Sequence, residues 1–211
     1  MPPVTRLLVI RHGQTAWNAD GRIQGHQDIA LDALGLRQAE ALASALHDEP
    51  LHAIYSSDLL RARATAQPLQ RITGLPLLTE TGLRERAFGR FEGLSFVEIE
   101  QRWPDAAARW RRRDPDFEPG GGESLRVFRQ RTLGCVTRLA RTHAGGCIAL
   151  VTHGGVLDML YREANGLPLE APRNWEVANG GINRLLHTGD GLVMLAWADV
   201  AHLEHMPSPA H

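Results

Sequence analysis

Two histidines that could do chemistry each follow a short apolar run and are each followed by glycine. Residues 7–10 lead into Arg11-His12-Gly13, and residues 147–152 lead into His153-Gly154-Gly155. Runs of this length and apolarity predict strands that are buried on both faces of a sheet. The carboxyl ends of parallel strands meet at one edge of the sheet, where open α/β sheets bind their ligands. We therefore expect His12 and His153 to face one crevice.

Two arginines are placed to add positive charge to that crevice. Arg11 directly precedes His12, and Arg61 lies in the first turn of a helix predicted to follow a strand at 53–56. The amino end of that helix would add to the positive potential. Guanidinium groups suit phosphoryl oxygens, and an imidazole can act as a nucleophile or an acid near neutral pH. Arg61 alone would suit a surface ion pair, but the three element ends together predict a site for a dianionic phosphoryl group.

Strands and helices alternate around these residues. Apolar spacing predicts helices over 32–49, 57–72, 124–142 and 156–165, with Pro68 able to disturb the second, and further strands at 53–56 and 77–79. Asp32 and Ser124 are expected helix caps, and Ser57 or Asp58 is expected to cap the second helix. Residues 182–187 and 192–198 predict a hairpin. The alternation predicts an α/β fold with three α/β/α layers around a mainly parallel central sheet, partly antiparallel at one edge.

The length and composition predict a single domain over residues 1–211. The chain has 211 residues, 43% of them hydrophobic, which is enough to bury a substantial core. Residues from about 86 to 123 are rich in charge and glycine. We expect an inserted lid of helix and loop there, over the edge of the sheet, with one helix from about Ser95 to Arg113. The tail from about residue 202 has little apolar periodicity and is expected to be flexible.

The charge and the apolar pattern argue against several other classes of protein. The formal net charge is −1, so no global basic field indicates a nucleic acid or an anionic membrane surface as partner. No run approaches the ~20 apolar residues of a membrane span, and the first four residues do not resemble a secretion signal. Cys135 and Cys147 lie in apolar contexts and are expected to be buried free thiols. We therefore expect a cytoplasmic location.

Further short motifs occur along the chain between these elements. In order, they are Arg11-His12-Gly13-Gln14-Thr15 with Trp17-Asn18, Gln24-Gly25, Leu31 and Gly35, Ser57-Asp58-Leu59 with Arg61-Ala62 and Thr65-Ala66, Leu83-Arg84-Glu85 with Phe88-Gly89 and Glu92-Gly93, Gly121-Gly122-Glu123-Ser124, and Val151-Thr152-His153-Gly154-Gly155. The set resembles the histidine phosphatase superfamily, in the branch that contains the cofactor-dependent phosphoglycerate mutases and small broad-specificity phosphatases. Arg-His-Gly alone is weakly specific, whereas the ordered set is highly specific. The resemblance implies a phosphoglycerate mutase-like fold over residues from about 5 to 200.

The resemblance implies catalytic roles for five residues. His12 would be the nucleophile that forms a phosphohistidine; it must be neutral, with its ring N–H bound to an acceptor such as a backbone carbonyl. Glu85 would protonate the leaving oxygen and later activate water. Arg11, Arg61 and His153 would surround the transferred phosphoryl group, with His153 as a hydrogen-bond donor in either a protonated or a neutral state.

The resemblance also implies secondary contacts to phosphate or substrate. Asn18 and Gln24 match such residues, and the backbone N–H groups of Gly25 and Gly154 could contribute as well. For Glu123 and Ser124, capping of the following helix is favoured over catalysis. This chemistry requires no metal ion and no cofactor, and the ten histidines include no pair at metal-ligand spacing.

Departures from the family pattern bear on the choice between hydrolysis and isomerisation. Phe88 and Phe96 stand where the mutases have a tyrosine and a lysine, and the chain is shorter than typical bacterial mutases. Both features favour hydrolysis. Trp110-Arg111-Arg112-Arg113 resembles an arginine pair with which the mutases hold phosphoglycerate, although a solvated cationic helix end would have the same sequence. Aromatic residues could instead build an apolar lid that accepts varied organic groups; they are Phe88, Phe91, Phe96 and Trp103.

The sequence therefore predicts a phosphatase for small-molecule phosphomonoesters, with phosphoglycerate mutase as the alternative. A different class is a catalytically silent phosphate-binding or partner-binding module. It is disfavoured because all five residues with implied catalytic roles are present: Arg11, His12, Arg61, Glu85 and His153. A homodimer could form through an exposed edge strand or through the insertion.

Overall fold

A six-stranded sheet forms the centre of the computed structural model, which describes residues 3–204 and 206. Its strands are β1 (Thr5–Arg11), β2 (Ala53–Ser56), β3 (Leu77–Thr79), β4 (Cys147–Thr152), β5 (Ile182–Thr188) and β6 (Gly191–Asp199). They lie in the order β3-β2-β4-β1-β5-β6. The first four are parallel, and β5 runs antiparallel to both β1 and β6. The predicted mainly parallel sheet with an antiparallel edge is confirmed.

Helices cover both faces of this sheet. The α-helices of the described residues are α1 (Ala16–Ala19), α2 (Ala33–Ala45), α3 (Leu60–Thr73), α4 (Phe96–Arg102), α5 (Pro104–Arg111), α6 (Leu125–Thr142), α7 (Gly154–Ala164) and α8 (Ala201–Glu204). Of these, α2 and α3 pack on one face and α6 and α7 on the other. Leu8 and Ile10 of β1 pack in one core with α2 and α3, whereas Leu7 and Val9 pack in the other with α6 and α7. Side chains alternate across a strand, so a continuous apolar run supplies both cores at once. The three α/β/α layers follow from this packing.

Two expected helix caps are present, and one is wrong. Asp32 accepts a hydrogen bond from Gly35 N, and Ser124 accepts one from Val127 N, as N-caps should. The helix expected to be capped by Ser57 or Asp58 begins instead at Leu60, whose N–H donates to Asp28 Oδ1 at 2.6 Å. A carboxylate from a distant loop therefore replaces the local cap. Pro68 lies inside this helix without ending it.

The single helix expected from about Ser95 to Arg113 is also wrong, because it is divided into α4 and α5. Trp103 separates them with φ −143° and ψ 71°, and Pro104 begins the second helix. Proline disfavours the helical conformation of the residue before it and lacks the N–H that a continuous helix needs. The lid segment, residues 86–123, packs around a small core of its own, formed by Phe91, Ile99, Ala107 and Phe117.

Near the carboxyl terminus, α8 packs on the loop before β5. His202 Nε2 hydrogen-bonds to Gly180 O at 3.0 Å. The rest of the tail predicted to be flexible lies outside the described residues, except for Met206. Within the part of the chain that the structure describes, no helix is long and apolar enough to cross a membrane. Cys135 and Cys147 are both buried free thiols, as expected.

Candidate active site

The two histidines lie side by side at the carboxyl edge of the sheet. Arg11 of β1 is in register with Thr152 of β4, so the residues that follow them, His12 and His153, leave the sheet at the same level. Their ring centroids are 5.1 Å apart. Their residues are only 3% and 0% exposed. Parallel pairing of two strands that are distant in sequence therefore brings both imidazoles together in one buried site.

The ring of His12 is held in one tautomer. Its Nδ1 lies 2.7 Å from Gly13 O, and because a carbonyl only accepts hydrogen bonds, Nδ1 carries the proton. This leaves the lone pair on Nε2. Burial, followed by the charges of Arg61 and Arg11, lowers the pKa of His12 well below its usual value. His12 is therefore neutral at neutral pH, with Nε2 able to act as a nucleophile.

Two guanidinium groups flank the histidines; Arg61 is fully buried and Arg11 is half-buried. Arg11 Nη1 donates to Val177 O at 2.5 Å, while Arg61 Nη1 and Nη2 donate to the carbonyls of Gln27 and Gly25, each at 2.8 Å. Burial lowers the pKa of Arg11 to about 10, so it stays charged at neutral pH. The Nε atoms of both arginines are buried and have no hydrogen-bond partner among the described residues. Each group thus keeps one donor for an anion.

The structure disfavours one of the two protonation states expected for His153, the protonated imidazolium. Burial, together with the charges of Arg61, His12 and Arg11, lowers the pKa of His153 well below its usual value. A protonated His153 is therefore disfavoured in this state of the site. Neither ring nitrogen has a hydrogen-bond partner within residues 3–204 and 206, and the residue is fully buried. A neutral imidazole can still donate one hydrogen bond to an anion.

The carboxylate of Glu85 is fixed against the start of α7. Its Oε2 accepts a hydrogen bond from Gly155 N at 3.0 Å, and its Oε1 accepts one from Arg86 N at 2.8 Å. Its main-chain oxygen also accepts bonds from His26 Nε2 at 2.8 Å and Arg131 Nη2 at 3.1 Å. Contacts from three separate segments therefore hold Glu85 in one position.

Gly155 leaves the space that this carboxylate occupies. A Cβ added to Gly155 would lie 2.0 Å from Glu85 Oε1 and 3.1 Å from a ring carbon of Phe128. We predict that Gly155→Ala displaces the Glu85 carboxylate and lowers kcat/KM for an alkyl phosphate by about tenfold to a hundredfold. The matched control is Gly134→Ala in α6, where an added Cβ meets nothing within 4 Å. Steady-state kinetics should separate the two, and equal activity would contradict the prediction.

Two cavities meet at Glu85. The small cavity, about 170 Å³, is lined by His12, Arg61 and the expected phosphate contacts Asn18, Gln24 and Gly25. The large cavity, about 630 Å³, is lined by Gly154, by aromatic rings and by further arginines. Both are lined by Arg11, Glu85 and Phe88. Glu85 therefore stands between a space bounded by the nucleophile and a space wide enough for an organic group.

Hydrogen bonds orient the secondary residues of the small cavity. Asn18 Oδ1 accepts from Thr15 N at 3.1 Å and from Asn179 Nδ2 at 3.3 Å, so its Nδ2 is the group available to an anion. Gln24 Oε1 is buried without a partner in the described chain. Gly25 has φ 51°, and a Cβ there would lie 2.1 Å from Glu92 Oε1. The loop that holds Arg61 thus needs glycine at this position.

The arginine run after Trp110 does not act as one unit. Arg111 forms an ion pair with Glu100 and lies 5.1 Å from the ring centre of Phe96. Arg112 is exposed. Arg113 donates to Asp158 Oδ2 at 2.6 Å and to Leu169 O at 2.8 Å, which ties the end of α5 to α7 and the following loop. The expectation of a solvated helix end therefore fails for Arg113.

The four aromatic residues expected in the lid fall into two groups, one that lines the large cavity and one in the core of the lid segment. Phe88 and Phe96 line the large cavity, together with Trp110, which was not among the four. Phe91 is fully buried in the core of the lid segment, where Trp103 stacks on it at 5.5 Å. Glu123 also proves structural, because its carboxylate accepts bonds from Ala87 N and from Arg131.

Sequence reasoning gave no role to several residues of the site, although Glu92 is part of the family motif set. Glu92 accepts hydrogen bonds from His26 N and Phe88 N, each at 3.0 Å, and so joins the loop around Arg61 to the lid segment. Asn179 contacts the turn after β1 from the loop before β5. Arg86 and Arg173 line the large cavity. The pair Asn179-Gly180 would ordinarily indicate only a turn. Among the described residues, no group of three or more His, Cys, Asp or Glu could hold a metal ion.

A buried histidine pair lies at the carboxyl edge of a mainly parallel sheet, with two arginines and a carboxylate nearby, and makes this edge the candidate active site. The chain belongs to the histidine phosphatase superfamily, branch 1, whose family model matches residues 7–200. It is a phosphoric monoester hydrolase, since named phosphatases are among its relatives.

Three similar proteins illustrate the relationship. The chain is 40% identical over 203 residues to phosphoglycerate mutase-like protein 4 of Arabidopsis thaliana, covering 94% of this chain and 86% of the relative. It is 36% identical to the metal-independent phosphoserine phosphatase of the same plant, covering 95% and 84%. The solved structure of mycobacterial glucosyl-3-phosphoglycerate phosphatase superposes with a TM-score of 0.82 at 33% identity, covering 92% of this chain and 99% of that one.

Proposed function

We propose that the chain hydrolyses small-molecule phosphomonoesters through a phosphohistidine on His12, with Glu85 as general acid and then general base. One observation carries the proposal: the Nδ1–H of His12 is bound to Gly13 O, which leaves Nε2 as the nucleophile beside two arginines that each keep a free donor. Inorganic phosphate or its ester is the ligand that this donor set suits. No cofactor is part of the proposal.

In the first half of the reaction, Nε2 of neutral His12 attacks phosphorus. The bond from phosphorus to the ester oxygen breaks, and protonated Glu85 gives its proton to that oxygen. The donors of Arg11, Arg61, Asn18 and His153, with the backbone N–H of Gly154, bind the equatorial oxygens on which charge is spread in the transition state. The alcohol then leaves through the large cavity.

In the second half, water attacks the phosphohistidine. The carboxylate of Glu85 takes a proton from the water, the bond between phosphorus and Nε2 breaks, and inorganic phosphate leaves. His12 returns to its neutral state, and Glu85 carries the proton that it needs for the next cycle. One carboxyl group thus acts in both half-reactions. Glu85 can do so because it lines both the cavity that holds the nucleophile and the cavity proposed for the leaving group.

The lining of the large cavity suits a substrate whose leaving group is organic and carries an acidic group. Phe88, Phe96 and Trp110 provide an apolar wall, and Arg86 and Arg173 provide positive charge. Esters of the kind named for two relatives, phosphoserine and glucosyl-3-phosphoglycerate, are the first substrates to test. A panel that adds sugar phosphates, nucleoside monophosphates and α-ribazole phosphate, scored by kcat/KM, tests both the activity and the substrate class. Phosphate binding without turnover on the whole panel would favour a silent binding module.

Incubation with 3-phosphoglycerate distinguishes a phosphatase from a mutase. We expect release of inorganic phosphate and no formation of 2-phosphoglycerate. The apolar side chains of Phe88 and Phe96, where the mutases have a tyrosine and a lysine, leave fewer polar groups to retain a second acidic group while the phosphoryl moves. Phosphorus NMR resolves the three species in one spectrum. A 2-phosphoglycerate signal that grows ahead of the phosphate signal would favour the mutase instead.

Compartment and partners are also proposals. Two buried free thiols suit a reducing, cytoplasmic setting. A small phosphate ester is the proposed ligand, rather than a nucleic acid or a membrane. A second copy of the chain is a further candidate partner, because β6 is an edge strand with Val193 and Leu195 46% and 59% exposed.

A further inference from the structure

The segment before β5 lies against the turn that carries the nucleophile. Val177 O accepts a hydrogen bond from the Arg11 side chain at 2.5 Å, and Gly180 N donates to Arg11 O at 3.0 Å. Arg11 N in turn donates to Gly181 O at 3.3 Å. Backbone contacts on both sides of residue 179 therefore hold this segment in a defined position beside the Arg11-His12-Gly13 turn.

From this position the side chain of Asn179 reaches into the turn. Its Nδ2 donates to His12 O at 2.9 Å and also lies 3.3 Å from both Gly13 O and Asn18 Oδ1. Gly13 O is the oxygen that accepts the Nδ1–H of His12. The N–H of Gly13 is itself bound to Thr65 Oγ1 at 2.9 Å. The amide of Asn179 thus contacts the carbonyl that determines where the His12 ring points.

We propose that Asn179 is a positioning residue for phosphoryl transfer, which holds the carbonyls of His12 and Gly13 so that Nε2 of His12 stays aimed into the small cavity. The same amide binds Oδ1 of Asn18 and so keeps the Nδ2 of Asn18 free for an anion. The proposal rests on the proposed role of His12 as nucleophile. Asn179 forms no bond with substrate in this scheme and acts only through the turn that it contacts.

The test compares Asn179→Ala and Asn179→Asp with the wild-type chain. The readouts are the single-turnover rate of forming acid-labile phosphate on His12 from p-nitrophenyl phosphate, the Ki of inorganic phosphate, and Tm. For Asn179→Ala we expect the rate to fall by about tenfold to a hundredfold, because small displacements of a reacting atom are costly. The Ki should change less than about threefold, since the arginine donors are untouched.

Asn179→Asp preserves the shape of the side chain and reverses its hydrogen bonding. A carboxylate oxygen would then face the carbonyls of His12 and Gly13, and its negative charge would favour the protonated form of the His12 ring. We expect the rate to fall and the acid limb of the pH profile of kcat/KM to move to higher pH. The matched control is Asn165→Asp at the exposed end of α7, where Nδ2 donates to Tyr161 O. It should leave both unchanged.

The outcomes separate this inference from the proposed function. If the wild-type chain forms no acid-labile phosphate on His12, both fail. If the wild type is labelled and Asn179→Ala is labelled at the same rate, only the role of Asn179 fails. The inference also fails if Asn179→Ala loses rate and phosphate affinity by the same factor while the acid limb of the Asn179→Asp pH profile stays in place. Asn179 would then be a merely structural residue. If Asn179→Ala does not fold, the isosteric Asn179→Asp decides through its pH profile.

Discussion

Replacing His12 by alanine should lower kcat for any phosphomonoester by about 10⁴-fold or more, because the variant lacks the Nε2 on which the covalent intermediate is proposed to form. The structure gives His12 a neutral ring with Nδ1 bound to Gly13 O, so its Nε2 is the available nucleophile. Wild-type protein quenched in mid-turnover should carry acid-labile phosphate on His12, and the variant should carry none. Mass spectrometry of the quenched protein and phosphate release measure the two effects.

Two controls make that result specific to His12. His47→Ala removes an exposed histidine that pairs with Asp48, and it should keep full activity. Inorganic phosphate should still bind to His12→Ala, because Arg11 and Arg61 keep their donors. An active His12→Ala variant, or acid-labile phosphate found on another residue, would overturn the assignment of the nucleophile.

Glu85→Gln should show a loss that depends on the leaving group. An alkyl phosphate needs a proton on its departing oxygen, so its cleavage should slow by ~10²–10⁴-fold. The p-nitrophenolate ion leaves without one, so the single-turnover burst with p-nitrophenyl phosphate should slow by less than about tenfold. Glutamine keeps the acceptor oxygen that can bind Gly155 N, so the position of the side chain is largely preserved. Rapid-quench kinetics with both esters give the two rates.

The matched control is Glu118→Gln, an exposed residue of the lid segment. It should change neither rate. Equal losses for the two esters in Glu85→Gln would remove Glu85 from the role of acid. A slow second phase with both esters is expected as well, because the same carboxyl group activates the water that hydrolyses the phosphohistidine.

Local patterns predicted the scaffold well because the forces behind them are local. The strands at 53–56, 77–79 and 147–152 occur with the expected bounds. The first and the last are buried throughout, as continuous apolar runs predict, whereas 77–79 is a partly exposed edge strand. Asp32 and Ser124 cap their helices through N–H groups three residues away. The failures have two physical causes. Asp28, from another loop, binds Leu60 N in place of a local cap, and Pro104 divides the helix expected from about Ser95 to Arg113.

The sequence by itself determined the identity of the reacting groups. Two His-Gly pairs after apolar strands, two arginines and a glutamate in the order of one family are sufficient to name the chemistry, because side-chain chemistry is carried by residue type. The positions of the main strands along the chain follow from the apolar runs. The residue types, however, do not determine how deeply a histidine ring is buried or which of its nitrogens carries the proton.

Only the tertiary structure decided the protonation state of those groups and the hydrogen bonds that orient them. The neutral state of His153 depends on complete burial beside Arg61, His12 and Arg11, so that three separate segments of the chain meet there. The tautomer of His12 depends on Gly13 O, and that carbonyl depends on Asn179, which lies more than 160 residues away. Protonation and orientation are set by the dielectric surroundings and by hydrogen bonds between distant segments, and these exist only once the chain is folded.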